Sequence, residues 1–225
     1  MHMDNLVVKS LPVLDYGQTY QCMIDFTDHR NRGTPDEIWC LQHHPVFTLG
    51  MGGKPEHLLA AGTIPVVKTD RGGQVTYHGP GQLIVYFMLD LKRQRIHIKQ
   101  FIYRLEQSII DFCHAHSIDA RRQPGAPGVY VADKKLAALG IRVRHGCCYH
   151  GLAINVDMDT GPFNRINPCG YPGLQVTQLS ELGQTMNTNQ VFNKLLPYLI
   201  QHLNYQHHHL IKLTSDDVSL ISQAA

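Results

Sequence analysis

Three segments of the chain carry side chains able to do covalent chemistry together. The first is RINPCGYPG, residues 165–173, which sets Cys169 between Pro168 and Gly170, with Pro172 close behind. Proline donates no backbone N–H and glycine favours turns, so this stretch reads as a stiff loop. A cysteine in such a loop stays accessible. An unperturbed thiol titrates near about 8.5, so a nucleophilic role requires a nearby cation or base. The residues alone also allow a partly buried loop cysteine without chemistry.

The second segment, ADKKLAALG at 132–140, offers that partner. Lys134 reads as the solvated residue of a turn at Ala132-Asp133-Lys134. Lys135 heads a strand whose alternate positions pack inward, so its amine can point into a cleft. A partly desolvated lysine has a lowered pKa and acts as a base, and its charged form stabilises a thiolate. A surface hairpin lysine is the alternative. The third segment, DRGGQVTYHGPGQ at 70–82, is glycine-rich. Gly72 and Gly73 let the backbone approach a ligand and offer N–H groups as an anion or oxyanion nest, and Arg71 adds a planar donor fork. No helix-forming segment follows, so this is neither a nucleotide phosphate loop nor a dinucleotide fingerprint. A tight turn plus a bulge is the alternative, although Tyr77, His78 and Gly79-Pro80-Gly81 favour a binding loop.

Other reactive types look structural. Cys147 and Cys148 are adjacent in a strand candidate and face opposite sides, while Cys22, Cys40 and Cys113 lie in apolar periodic segments. His43-His44 and His207-His208-His209 lack the spacing of a zinc site and read as solvated, so no metal is expected.

The elements that must position these groups are visible as periodicity. Tyr16, Tyr20, Met23, Ile24 and Thr27 mark an amphipathic helix from Tyr16 to His29. Strand candidates follow in EIWCLQ, PVFTLG, IPVVKT and QVTYHGPGQLIVYFML, the last broken at Gly79-Pro80-Gly81. Phe101, Leu105, Ile109 and Phe112 share one face of a helix over Ile98 to His116. Residues 128–158 read as three successive strands. Val191, Phe192, Leu195, Leu199 and Leu203 predict a last helix near Thr188 to Tyr205, followed by a polar tail. Strands in blocks with helices between them predict an α+β fold rather than an alternating βαβ one.

Size and composition set the frame. With 225 residues, 43% hydrophobic and 17% charged, the chain suits a globular protein with a sizeable core. Its net charge of +2 gives no argument for a nucleic-acid partner. The N-terminus lacks a secretory pattern, and no window reaches the roughly 18 apolar residues of a membrane span. Six cysteines without regular spacing do not form a disulfide scaffold. Without repeats or linkers, residues 1–225 are expected to form one reduced, soluble, cytoplasmic domain.

Taken together, RGGQVTYHGPGQ (71–82), GVYVADKKLAALGIR (128–142), HGLAINVDMD (150–159) and FNRINPCGYPGL (163–174) resemble the octanoyltransferase family of protein lipoylation. The glycine-rich element alone is shared with lipoate and biotin protein ligases. The resemblance implies the cofactor-ligase fold, a mixed β-sheet flanked by helices around one acyl pocket. It implies Cys169 as the nucleophile that becomes an acyl-thioester and Lys135 as its partner. The pocket is implied for Arg71, Gly72, Gly73, Gln74, Val75, Thr76, Tyr77 and His78, for Ala138, Leu139 and Gly140, and for Gly151, Leu152 and Ala153. The implied donor is octanoyl-acyl carrier protein. The implied acceptors are lipoyl domains of 2-oxoacid dehydrogenase E2 subunits and the glycine cleavage H protein. No ATP is expected, since the donor is already a thioester. Leu136, Leu139, Leu152 and Ile154 are candidates for an acyl tunnel, and Arg121, Arg122, Arg142 and Arg144 for the rim meeting an acidic carrier. Rival readings are an ATP-dependent ligase on the same fold, an acyl-binding module, and a cysteine hydrolase using Cys169 with His78.

Overall fold

The computed structural model describes residues 5–214 and 217, and these described residues form eleven strands and three α-helices. In chain order they are β1 (Asn5–Leu14), α1 (Tyr16–His29), β2 (Asp36–His43), β3 (Val46–Leu49), β4 (Val66–Lys68), β5 (Val75–His78), β6 (Gln82–Asp90), α2 (Ile98–Ala115), β7 (Ala120–Gln123), β8 (Ala126–Val131), β9 (Lys134–Arg144), β10 (Cys147–Asn155), α3 (Thr188–Leu203) and β11 (His207–Lys212). The main sheet has the order β11-β1-β2-β6-β10-β9-β8-β7, and a small sheet has the order β4-β3-β5. The main sheet is mixed: β11, β1 and β2 run parallel, and the pairs from β2 to β7 are antiparallel.

The continuous apolar run QLIVYFML becomes β6, a central strand covered on both faces, as such a run requires. Alternation along it divides the core. Leu83, Val85, Phe87 and Leu89 pack with α2 and α3, while Ile84, Tyr86 and Met88 pack with Met23 and Phe26 of α1. A third cluster, Phe47, Leu49, Val75, Tyr77 and Phe163 among its members, fills the space beneath the small sheet. Helix ends follow local chemistry: Asp15 caps α1 by accepting from the Gln18 N–H at 2.9 Å, and Asn187 with Gln190 forms a capping box on α3.

Three strands differ from the sequence reading. β1 contains Pro12, and its pairing with β2 shifts register between Ser10 and Val13, which blurs the alternation. β7 is four residues long. Part of the expected polar tail is β11, an edge strand exposed along its whole length and read from the parallel partner β1 rather than from its own pattern. The end of that tail, residues 218–225, lies outside the described residues.

One polar cluster ties distant ends of these elements together. The buried Asp36 carboxylate at the start of β2 accepts from Arg30 after α1 at 2.7 Å, from Arg93 and Gln94 after β6, from the Asp90 N–H at 2.9 Å and from the Tyr205 hydroxyl at 2.6 Å. Burial alone would raise its pKa, but the Tyr205 and Asp90 hydrogen bonds and the two arginines outweigh it and hold it below the usual carboxylate range. Replacing Asp36 by Asn leaves those arginines unpaired and is expected to destabilise the protein by about 3 kcal/mol at neutral pH. A depressed carboxylate stabilises above its unfolded pKa of about 3.9 and loses that contribution as pH falls through the folded value. Urea unfolding of the two proteins should therefore show a gap at pH 7 that narrows below about pH 4.

Candidate active site

Lys135 reaches the site through a hairpin and a bulge. Ala132 and Asp133 both adopt positive φ, 45° and 68°, forming a tight two-residue turn between β8 and β9. Lys134 is exposed and Lys135 is buried, in keeping with strand alternation. Val129 pairs with Ala137 but Tyr130 pairs with Lys135, so one extra residue of β9 sits between the two pairs. A bulge of this kind re-aims a side chain. The Lys135 ammonium donates to Cys169 Sγ at 2.8 Å and to the Pro127 carbonyl at 3.1 Å, and lies 5.1 Å from the centre of the Tyr130 ring. Gly128 makes this possible. A Cβ there would stand 2.8 Å from Lys135 Cε and 2.7 Å from the Ala137 carbonyl.

Sequence reasoning expected desolvation to lower the Lys135 pKa. Burial does act in that direction, but the facing Cys169 sulfur and the Tyr130 hydroxyl outweigh it, and the net direction is upward. Lys135 is thus held as an ammonium against the sulfur.

Cys169 sits in a short turn of 3-10 helix, Pro168–Gly170, with its own backbone left-handed at φ 58°. Hydrogen bonds clamp the loop on both sides. The Asn167 N–H donates to the His57 carbonyl at 2.8 Å, and the Leu59 and Ala60 N–H groups donate to the Arg165 carbonyl at 2.9 and 3.1 Å. The loop's exit then pairs with the lysine's own strand. The Lys135 N–H donates to the Gln175 carbonyl at 2.9 Å, and the Thr177 N–H donates to the Lys135 carbonyl at 3.0 Å. Cys169 and Lys135 are therefore registered by backbone as well as by their own contact.

The glycine-rich segment packs down on β9. The Gly72 N–H donates to the Ile141 carbonyl at 3.1 Å, and a Cβ on Gly140 would come within 3.1 Å of the Gly72 carbonyl. Arg71 is buried and turns inward. Its guanidinium donates to the Thr48 hydroxyl and carbonyl and to the Gly72 and Gln74 carbonyls, so the donor fork braces its own loop against β3. Of the two N–H groups read from sequence as an oxyanion nest, those of Gly72 and Gly73, the first already donates within the chain.

These parts surround a cavity of about 300 Å³, in the size class of small-molecule sites. Residues 71–76, 138–140 and 151–153 border it together with His78, Lys135 and Cys169. Tyr77 does not: it packs instead against Phe47 and Phe163 beneath the small sheet. Of the apolar tunnel candidates, Leu139 and Leu152 border the cavity, whereas Leu136 and Ile154 lie in the core on the α2/α3 side. The register Gly140↔Gly151↔Tyr86 carries the cavity from β9 across β10 to β6, two inter-strand spacings or about 10 Å. The four arginines expected at the rim do not border the cavity and all have acidic partners on this chain: Arg121 with Asp133, Arg122 with Glu106, Arg142 with Asp70 and Arg144 with Asp28.

The far end is built from groups that sequence reasoning did not single out. Tyr16, Tyr86 and His150 line it with His78. His43, expected to be solvated, is fully buried behind them, donating from Nδ1 to the Leu14 carbonyl and accepting the Tyr86 hydroxyl at 2.7 Å. His44 and the run His207–His209 are exposed. His78 donates from Nδ1 to Gln82 Oε1 at 2.7 Å. His150 has a left-handed backbone, φ 62°, which turns its ring to the face holding Tyr149 and Tyr20. Its Nε2 donates to Asp70 Oδ1 at 3.0 Å, and its buried Nδ1 has no partner among the described residues. Tyr149 also donates to Asp70. Burial would raise the Asp70 pKa, but hydrogen bonds from His150 and Tyr149 hold it well below the usual carboxylate range. The legible signals for this end were a lone tyrosine and histidine within apolar strand runs.

Residues 20–200 match the family described as the lipoyl protein ligase A/B catalytic domain. The chain is 52% identical over 198 residues to an octanoyltransferase of Dechloromonas aromatica, covering 88% of this chain and 97% of that one. It is 50% identical over 203 residues to an octanoyltransferase of Vibrio vulnificus, covering 90% and 93%. Among solved structures, a lipoate-protein ligase A bound with ATP superposes with a TM-score of 0.74 at 13% identity, covering 97% of this chain and 92% of that one.

Burial pushes the His43 pKa down to about 4 and the His78 pKa down to about 3, so both rings are neutral in the folded protein. A histidine lowered on folding contributes fully above its unfolded pKa of about 6.5, and the contribution is lost as pH falls toward the folded value. By pH 5 each is expected to have cost about 2 kcal/mol relative to pH 8. Urea unfolding across that range should show stability falling with acidity, and a shallower fall in His78→Gln. Equal slopes in the two proteins would remove His78 from the account.

Proposed function

The chain belongs to the octanoyltransferases of the lipoyl protein ligase A/B catalytic-domain family, and we propose that it moves its acyl group in two half-reactions through Cys169. The observation that carries this reading is the 2.8 Å contact between Lys135 Nζ and Cys169 Sγ at a cavity that ends about two strands away.

In the first half-reaction the Cys169 thiolate, paired with the Lys135 ammonium, attacks the carbonyl of an octanoyl thioester on acyl carrier protein. The tetrahedral adduct collapses, the carrier's sulfur leaves, and Lys135 supplies its proton. One thioester replaces another, so no ATP and no metal is needed to activate the acyl group. In the second, the amine of a lipoyl-domain lysine attacks the enzyme thioester and gives up a proton to neutral Lys135. Collapse forms the amide and restores the thiolate–ammonium pair. The amide is more stable than the thioester, which drives this step.

The apolar stretch of cavity between Leu139, Leu152 and Ile84 suits the alkyl chain, each buried methylene contributing about 0.8 kcal/mol. The bonded side chains at the far end give a fixed stop that reads chain length. The pocket residues assigned from sequence, apart from Tyr77, are proposed to contact the acyl group. Splitting the transfer lets one mouth serve two large partners in turn: the acyl carrier protein, then the lipoyl domains of 2-oxoacid dehydrogenase E2 subunits or of the glycine cleavage H protein. This assigns residues 1–225 to one cytoplasmic catalytic domain.

Incubation with octanoyl-acyl carrier protein is expected to add one octanoyl group, labile to hydroxylamine, at Cys169. Intact mass followed by peptide mapping reads the site. Cys169→Ala should take up none, and Lys135→Ala should acylate at least about a hundredfold more slowly, the scale on which a positioned acid–base group acts. Acyl mass on another residue would refute the mechanism.

A further inference from the structure

Helix α2 buries one face against the main sheet, and that face is apolar except at two positions, Glu106 and Ser108. Ser108 bonds backbone carbonyls, including that of Arg104 one turn earlier. Glu106 reaches away from its helix. Its Oε1 accepts the Gly128 N–H at 2.9 Å and its Oε2 accepts Arg122 Nε at 3.0 Å, while Arg122 also stacks 3.9 Å from the centre of the Tyr103 ring.

The Gly128 N–H and the Pro127 carbonyl are two ends of one peptide group, and that carbonyl is the oxygen on which Lys135 Nζ rests at 3.1 Å. We propose that Glu106 is a positioning residue that holds the Lys135 amine on the Cys169 sulfur through the Pro127–Gly128 peptide. The peptide is planar, so fixing its N–H fixes the direction of its carbonyl. It is also gripped at both ends by opposite charges, a carboxylate on the N–H and an ammonium on the C=O, which polarise it in the same sense.

The need for such a device lies in the sheet. Pairing of β8 slips on both sides of this peptide, between Arg121 and Gln123 of β7 and between Val129 and Tyr130 facing β9. The ladder therefore does not set the peptide plane by itself. Pro127 has no N–H to anchor it, and Gly128, at φ 142°, has no side chain to wedge it.

The inference rests on Cys169 and Lys135 acting as a pair, and its test needs no acyl substrate. The rate of Cys169 alkylation by iodoacetamide at neutral pH, read by peptide mass on the full chain, reports how well Lys135 supports the thiolate. Glu106→Leu keeps the helix face packed but removes the acceptor, and Glu106→Gln keeps an acceptor oxygen. Arg122→Ala removes the ion pair but leaves Oε1 on Gly128. Lys135→Ala and Glu106→Leu are each expected to slow alkylation about tenfold, the order of one lost charge-assisted hydrogen bond. Glu106→Gln and Arg122→Ala should stay within about threefold of the parent. Loosening of the fold would act oppositely, speeding Cys169 and exposing the buried Cys113 and Cys148. The proposal fails if Glu106→Leu reacts at the parent rate or faster while Lys135→Ala is slow, or if Arg122→Ala is as slow as Glu106→Leu. An unchanged rate in Lys135→Ala would instead refute the pair itself, and the proposal with it.

Discussion

A buried ammonium 2.8 Å from a cysteine sulfur is the contact around which the site is built. Burial disfavours the charged lysine, and the sulfur and the Tyr130 hydroxyl offset that penalty, with the Pro127 carbonyl accepting a further hydrogen bond. Each partner alone would be poorly placed: a buried cation without a counter-charge, or a loop thiol without a cation. The fold brings them together from opposite directions, the lysine on a bulged sheet strand and the cysteine on a loop clamped beside the small sheet. The bridge between Lys135 and Val176 then returns the loop to the strand.

A second constraint is that the small sheet must stay registered on the large one, because the cavity lies between them. Arg71 does this from inside. It joins Thr48 of β3 to the glycine-rich loop, and that loop joins Ile141 of β9. The same segment thereby serves as cavity wall and as brace. Its glycines read from sequence as a nest for an anion. In the structure Gly72 marks close backbone approach, since its N–H is bonded to β9 and its carbonyl would stand 3.1 Å from a Cβ on Gly140.

What the sequence showed and what it hid divide along physical lines. α1, α2, α3 and β6 bury wide apolar stripes, and their periods could be read directly. Lys135 was legible because strand parity separates it from Lys134. The edge strands β7 and β11 were hidden, since an edge strand borrows its hydrogen bonds from a partner that a local pattern does not reveal. His43 was misread for a related reason. Its two neighbours, the Leu14 carbonyl and the Tyr86 hydroxyl, are 29 and 43 residues away, and satisfied burial of a histidine depends on such partners. The far end of the cavity, assembled from α1, β2, β5, β6 and β10, was invisible as a unit for the same reason.

Backbone strain points to the same place as the chemistry. Ala132, Asp133 and His145 adopt positive φ in hairpin turns, Arg95 in the turn after β6, and Ser117 and Asn204 at the ends of α2 and α3, where chain reversal accounts for it. Cys169 and His150 are different. His150 lies within a long central strand, and Cys169 is left-handed even though the glycine after it, Gly170 at φ 79°, is left-handed as well. Such conformations cost on the order of 1–3 kcal/mol each and persist only where the surroundings over-determine them. Here the surroundings do: β9 and β6 hold β10 on both sides of His150, and the His57 carbonyl with the Pro168–Gly170 turn holds Cys169. Each of these two residues lines the cavity, one with its sulfur and the other with its imidazole. The sheet at one end and the clamped loop at the other thus keep both residues in conformations that a more pliable frame would relax.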